Sequence, residues 1–157
     1  MDGFIEQCKS RATSAMDMFL RNLSHVPEDK LNWSPCPTAK TAVQIAAHVA
    51  GYSGGFASVI RTGKFPATAE EFLAPINATI ADIDTVQKAE AVLRQGIADT
   101  LAALDAVDPE HIEGSVETPI GTTPFVFFMT IPSVHLVLHT GQIDYLQTCW
   151  GDQEVYF

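Results

Sequence analysis

Four long stretches of this chain repeat apolar residues at helical spacing, and segments rich in proline or glycine separate them. A helix with one apolar stripe must bury that stripe against something. In the first stretch, about 3–24, Phe4, Ile5, Cys8, Ala12, Phe19, Leu20 and Leu23 fall mostly three and four apart. "SHVPEDKLNWSPCP" then breaks the pattern with Pro27, Pro35 and Pro37. The second stretch opens on Thr41-Ala42-Val43-Gln44, a capping box with Thr41 as N-cap and Gln44 reaching back. Ile45, His48, Val49, Tyr52, Phe56 and Val59 share one face, and the helix should end near Thr62-Gly63. "GYSGG" at 51–55 weakens its middle by roughly 1 kcal/mol per interior glycine and lets a neighbouring helix come close.

A short helix over Ala69 to Leu73 is expected to stop at Pro75. The third long helix covers about 84–106, with Val86, Ala89, Leu93, Ile97, Leu101 and Leu104 on its stripe and Asp82 or Asp84 as its cap. In "VDPEHIEGSVETPIGTTP", Thr118 to Gly121 reads as a turn between short extended pieces. Thr123-Pro124 opens the last helix, which runs to about 149 with a kink at Pro132 and an apolar face through Val134, Leu138 and Leu146. Four such helices and no convincing strand pattern predict an all-α fold: one four-helix-bundle domain over 1–157, with a long, partly extended connection before the last helix.

Composition narrows the partners. Apolar residues make up 46% of the chain, enough to fill a core. The net charge of −10, from 19 acidic and 9 basic residues, repels polyanions, so neither nucleic acid nor an anionic membrane is an expected partner. The N-terminus lacks the basic flank and apolar core of a signal peptide. The greasy run at 125–138 is broken by Thr130, Pro132, Ser133 and His135 and is not expected to span a bilayer. Cys8, Cys36 and Cys149 form neither a disulfide framework nor a metal knuckle, and read as buried, reduced thiols of a cytoplasmic protein.

Against this background "IPSVHLVLHTGQ" stands out. His135 and His139 lie one helical turn apart, close enough for both imidazoles to bind one metal ion. His48, on the expected buried face of the second helix, is a third polar ring in need of a partner. Bringing all three to one cation satisfies them together; separate core hydrogen bonds are the alternative. His25 and His111 fall in polar loops and read as exposed. Leu136 stands where a zincin protease has its glutamate, so that general base is absent. Gln142, three after His139, could orient a ligand or a bound water. Tyr52, four after His48, could donate a proton or hydrogen bond to substrate. Each also fits a plain interhelical contact. Asp144 points away as a surface charge, and Trp33 and Trp150 read as packing residues.

"LNWSPCPTAKTAVQIAAHVA" at 31–50 and "HLVLHTGQIDYLQTCWGD" at 135–152 resemble the DinB-like superfamily: a tryptophan-proline entry, a helix with one histidine, and a last helix of form H-x3-H-x-G-Q-I closed by Gly-Asp. The resemblance implies a four-helix bundle, often a homodimer, with a divalent metal held by His48, His135 and His139. It implies zinc or nickel, with iron possible, and chemistry like that of bacillithiol S-transferases or mycothiol-dependent maleylpyruvate isomerase, with a low-molecular-weight thiol as cosubstrate. Three neutral imidazoles leave a coordination position open, as in catalytic sites, where a cation lowers the pKa of water or stabilises a thiolate. The expected function is metal-dependent, S-transferase-like (or related hydrolase or isomerase) chemistry on a small molecule. The alternative is a non-catalytic, metal-containing small-molecule-binding or stress-related protein.

Overall fold

The computed structural model describes residues 2–156. Its long helices are α1 (Asp2–Ser24), α2 (Ala42–Thr62), α4 (Val86–Asp105) and α6 (Phe125–Cys149). A shorter α3 (Ala69–Ala81), a one-turn α5 (Pro109–Ile112) and a hairpin of β1 (Ser115–Thr118) and β2 (Gly121–Pro124) fill the connections. The bundle closes as a ring: α1 packs on α6, α6 on α2, α2 on α4 and α4 on α1, while α3 lies against α2. Phe19, Leu93, Leu104, Leu136 and Ile143 are fully enclosed; a side chain of this kind stabilises the fold by about 1.5–3 kcal/mol.

Local chemistry sets the ends of α2. Thr41 Oγ1 accepts from Gln44 N–H at 3.3 Å, and Thr41 N–H donates to Gln44 Oε1 at 2.9 Å. Gly63 ends the helix with φ of 64°, a left-handed conformation that glycine adopts without penalty. The mid-helix glycines bring neighbours close, as expected. A Cβ on Gly51 would lie 2.6 Å from Ile80 Cγ1 of α3, and one on Gly55 2.9 Å from Ile76 Cδ1. Gly96 of α4 sits against the same helix: a Cβ there would lie 1.9 Å from Ser53 Oγ.

Several expectations are corrected. Pro75 does not stop α3, which continues to Ala81. Proline removes one backbone bond, and the Thr68 cap and the burial of Ile76 outweigh that loss. Thr85, not Asp82 or Asp84, caps α4 by accepting from Lys88 N–H at 3.3 Å; Asp84 pairs with Lys88 Nζ at 2.9 Å instead. Pro124 is the N-cap of α6 rather than its first residue.

The buried side of α6 is Pro132, Leu136, Thr140, Ile143 and Gln147, together with the expected Leu146. Val134 and Leu138 are exposed by 49% and 65%. The helix is apolar on nearly every side, so spacing alone does not single out its core face. By length and composition α6 could cross a membrane, and only a third of its apolar window is buried, but it is packed on α1 and α2 as a helix of the bundle.

Cys8 is buried, whereas Cys36 and Cys149 are exposed free thiols, contrary to the sequence reading. His25 is exposed, as expected, with its ring stacked 3.9 Å from that of Tyr156. His111 is half-buried rather than exposed, because its ring fills the space over Gly63 and meets Phe125. Asp144 is half-buried and accepts a hydrogen bond from the buried Asn22 Nδ2, so it ties α6 to α1. Trp33 and Trp150 meet edge to face at 5.7 Å, joining the two motif blocks.

Candidate functional site

The seam between α2 and α6 carries the three histidines the sequence singled out. One helical turn separates His135 from His139 on α6, and the capping box fixes the start of α2 and hence the facing of His48. His135 Nε2 lies 3.2 Å from His48 Nε2 and 3.1 Å from His139 Nε2. All three ligand atoms fall within 4.8 Å of one another, and all three residues are half-buried.

That spacing can be tested against a shared ion. Nitrogens about 2.0–2.1 Å from one zinc ion lie about 3.3 Å apart at tetrahedral angles and about 3.0 Å apart at right angles. The two His135 separations lie between these values and the third pair falls within 4.8 Å, so the cluster is compatible with a three-nitrogen ligand set. Its protonation agrees. His139 Nδ1–H donates to Gln142 Oε1 at 2.7 Å, which leaves the Nε2 lone pair facing the other rings. Burial first, and then the neighbouring imidazoles, push His135 down to about 3 and His48 to about 4 from the usual 6.5. Burial also lowers His139, against the opposing pull of Gln142. Near neutral pH the cluster is therefore a set of uncharged donors.

The surroundings are aromatic on one side. Tyr52 packs its ring 4.5 Å from that of His48 and 5.4 Å from that of His135, and Phe56 lies 5.2 Å from His135. The Tyr52 hydroxyl has no hydrogen-bond partner among the described residues, so Tyr52 touches the cluster through its ring face. Gln142 touches it through a hydrogen bond.

On the other side the loop at 35–40 separates two cavities. One, of about 510 Å³, is lined by His48, Lys40, Thr38, Asn77, Ile80 and Ile83 among others. The second, of about 390 Å³, includes Lys40, Thr38, Gln142 and Tyr145. A larger cavity of about 810 Å³, bounded by Leu20, Asp84 and Glu90, includes none of the three histidines. Lys40 escaped the sequence reading because an exposed loop lysine carries no periodic or motif signal. Its charge nonetheless reaches the cluster and helps hold His48 and His139 in the neutral form.

Fold and site together define a class: a helical bundle with three imidazoles gathered at one interhelical seam. The chain belongs to the DinB superfamily, whose family model matches residues 10–143. Its fold is similar to that of a mycothiol-dependent maleylpyruvate isomerase, with a TM-score of 0.68 and 17% identity. That match covers 88% of this chain but only 60% of the isomerase. The fold is also similar to that of a DinB-like protein of Bacillus subtilis, YjoA, with a TM-score of 0.70, 16% identity and 96% coverage of both chains. No curated protein matches the chain by sequence. At these identities the likeness is one of fold.

Proposed function

We propose that this protein is a metal-dependent enzyme that joins a low-molecular-weight thiol to a small electrophile, or carries out a related isomerisation or hydrolysis. The observation that carries this reading is the Nε2 triangle of His48, His135 and His139. In it the three imidazoles hold zinc or nickel, or alternatively iron; imidazole suits each of them. A divalent ion there supplies positive charge that favours the deprotonated form of a thiol or water beside it.

The protein's own groups do the rest. Gln142 holds the His139 ring in one tautomer and orientation. The Tyr52 and Phe56 rings wall the cluster and limit water on that side. Tyr52, with its hydroxyl unengaged, is placed to donate a hydrogen bond to substrate. The structurally similar isomerase uses mycothiol, which supports a thiol as cosubstrate. Free cysteines fit a reducing, cytoplasmic setting. A homodimer belongs to the same reading: Phe127, Val134, Val137 and Leu138 form an exposed apolar strip on α6 suited to a second copy.

The test is turnover. Zinc- or nickel-loaded protein is incubated with a panel of small thiols and electrophiles, and thioether formation is followed. Metal-dependent product that disappears in His48→Ala is the expected result. Specific ligand-induced stabilisation without product across the panel would favour a binding protein instead.

A further inference from the structure

We infer that Lys40 is the anion-recognition residue of this site, holding a carboxylate that the substrate carries away from its reacting atom, in the cavity lined by His48. The inference rests on the proposed role of the histidine cluster as the reacting centre and names the class of molecule brought to it. Its first support is placement: Lys40 lines both cavities that flank the seam, one with His48 and one with Gln142.

The second support is charge. The chain carries 19 acidic residues against 9 basic ones, yet among the described residues no aspartate or glutamate lines either cavity, and Lys40 is the one lysine or arginine on their walls. Among the described residues no carboxylate pairs with it, a state it shares with Arg11, Arg61 and Lys64, none of which lines either cavity. Lys40 also immediately precedes the N-cap of α2, whose first turn holds no acidic residue. The positive end of that helix therefore adds to the ammonium charge.

The polar neighbours complete a small anion site. The exposed Asn77 side chain makes no hydrogen bond among the described residues, and the exposed Thr38 hydroxyl makes only a 3.5 Å contact with Cys36 Sγ. Gln44, by contrast, is engaged in the capping box. Val43, Ala47, Ile80 and Ile83 supply an apolar wall beside them. One ammonium, one amide and one hydroxyl suit a carboxylate; a phosphate dianion would call for a second cation. The cavity of about 510 Å³ accepts a short hydrocarbon body between that carboxylate and His48.

The test needs no turnover. Backbone amide shifts of the 15N-labelled protein are followed while succinate, or its uncharged counterpart succinamide, is added. One sample is stripped of metal and dialysed; another is supplemented with zinc. Succinate, not succinamide, should move the amides of residues 38–40 and 77 in both samples. Lys40→Gln should weaken succinate binding by about ten-fold, the size of one charge-assisted hydrogen bond, and Lys40→Arg should restore it. Indistinguishable responses to the two ligands, or equal succinate binding by Lys40→Gln, would overturn the inference. Zinc should by itself move the amides of His48, His135 and His139; if these do not move while the dependence on Lys40 persists, the metal proposal fails and the anion site stands.

Discussion

Replacing His135 with leucine should flatten the acid limb of the stability curve of the metal-free protein. His135 is held at about 3 in the folded chain, by burial first and then by the charges of His139 and His48, against 6.5 when exposed. Below pH 6.5 the unfolded chain takes up a proton there that the folded chain refuses. The contribution is complete above pH 6.5 and is lost as the pH falls toward 3. Each such proton changes stability by about 1.36 kcal/mol per pH unit. Between pH 6.5 and pH 4 this comes to about 3 kcal/mol, reduced to about 2 by solvent at the open side of the site. Urea unfolding at several pH values, with chelator present and followed by the fluorescence of Trp33 and Trp150, gives the difference directly. Carboxylates common to both proteins cancel in it. If wild type and His135→Leu lose stability in parallel from pH 6.5 to pH 4, the histidines are not buried together as described.

Other outcomes follow from contacts already given. Gly96→Ala places a methyl 1.9 Å from Ser53 Oγ and 3.3 Å from the Gly54 backbone and should destabilise the fold by about 1–3 kcal/mol in the same assay. Gly54→Ala meets nothing within 4 Å and should stabilise it by up to about 1 kcal/mol. Gln142→Leu removes the acceptor that orients His139; isothermal titration should find zinc affinity reduced by about 10–100-fold. Thr38 Oγ1 and the Thr38 and Ala39 N–H groups lower the pKa of the exposed Cys36 thiol, whereas burial raises that of Cys8. Iodoacetamide followed by mass spectrometry should therefore label Cys36 early and Cys8 last.

How far the sequence carried differs from element to element. It placed the start of α2 at Thr41 and its end near Thr62-Gly63, because a capping box and a terminal glycine are short-range devices written into adjacent positions. The α4 stripe was equally legible, as Ala89, Leu93, Ile97 and Leu104 are indeed buried. The three histidines emerged from helical spacing together with the oddity of polar rings on buried faces.

What failed depends on partners distant in the chain. Nothing local tells that Ile76, beyond Pro75, will dock on Gly55, so α3 was expected to end too soon. Val134 and Leu138 were misassigned because α6 offers apolar residues in every direction and only the placement of α1 and α2 selects among them. Lys40 gained meaning only when the fold set its loop beside His48.

The most direct test of the central claim is elemental analysis of wild-type protein and His48→Ala after equal exposure to zinc and exhaustive dialysis. Three converging imidazoles predict about one zinc ion retained per wild-type chain and almost none by the variant, with helical circular dichroism unchanged. Wild-type protein that retains no zinc or nickel, or a variant that retains as much as the wild type, would contradict it.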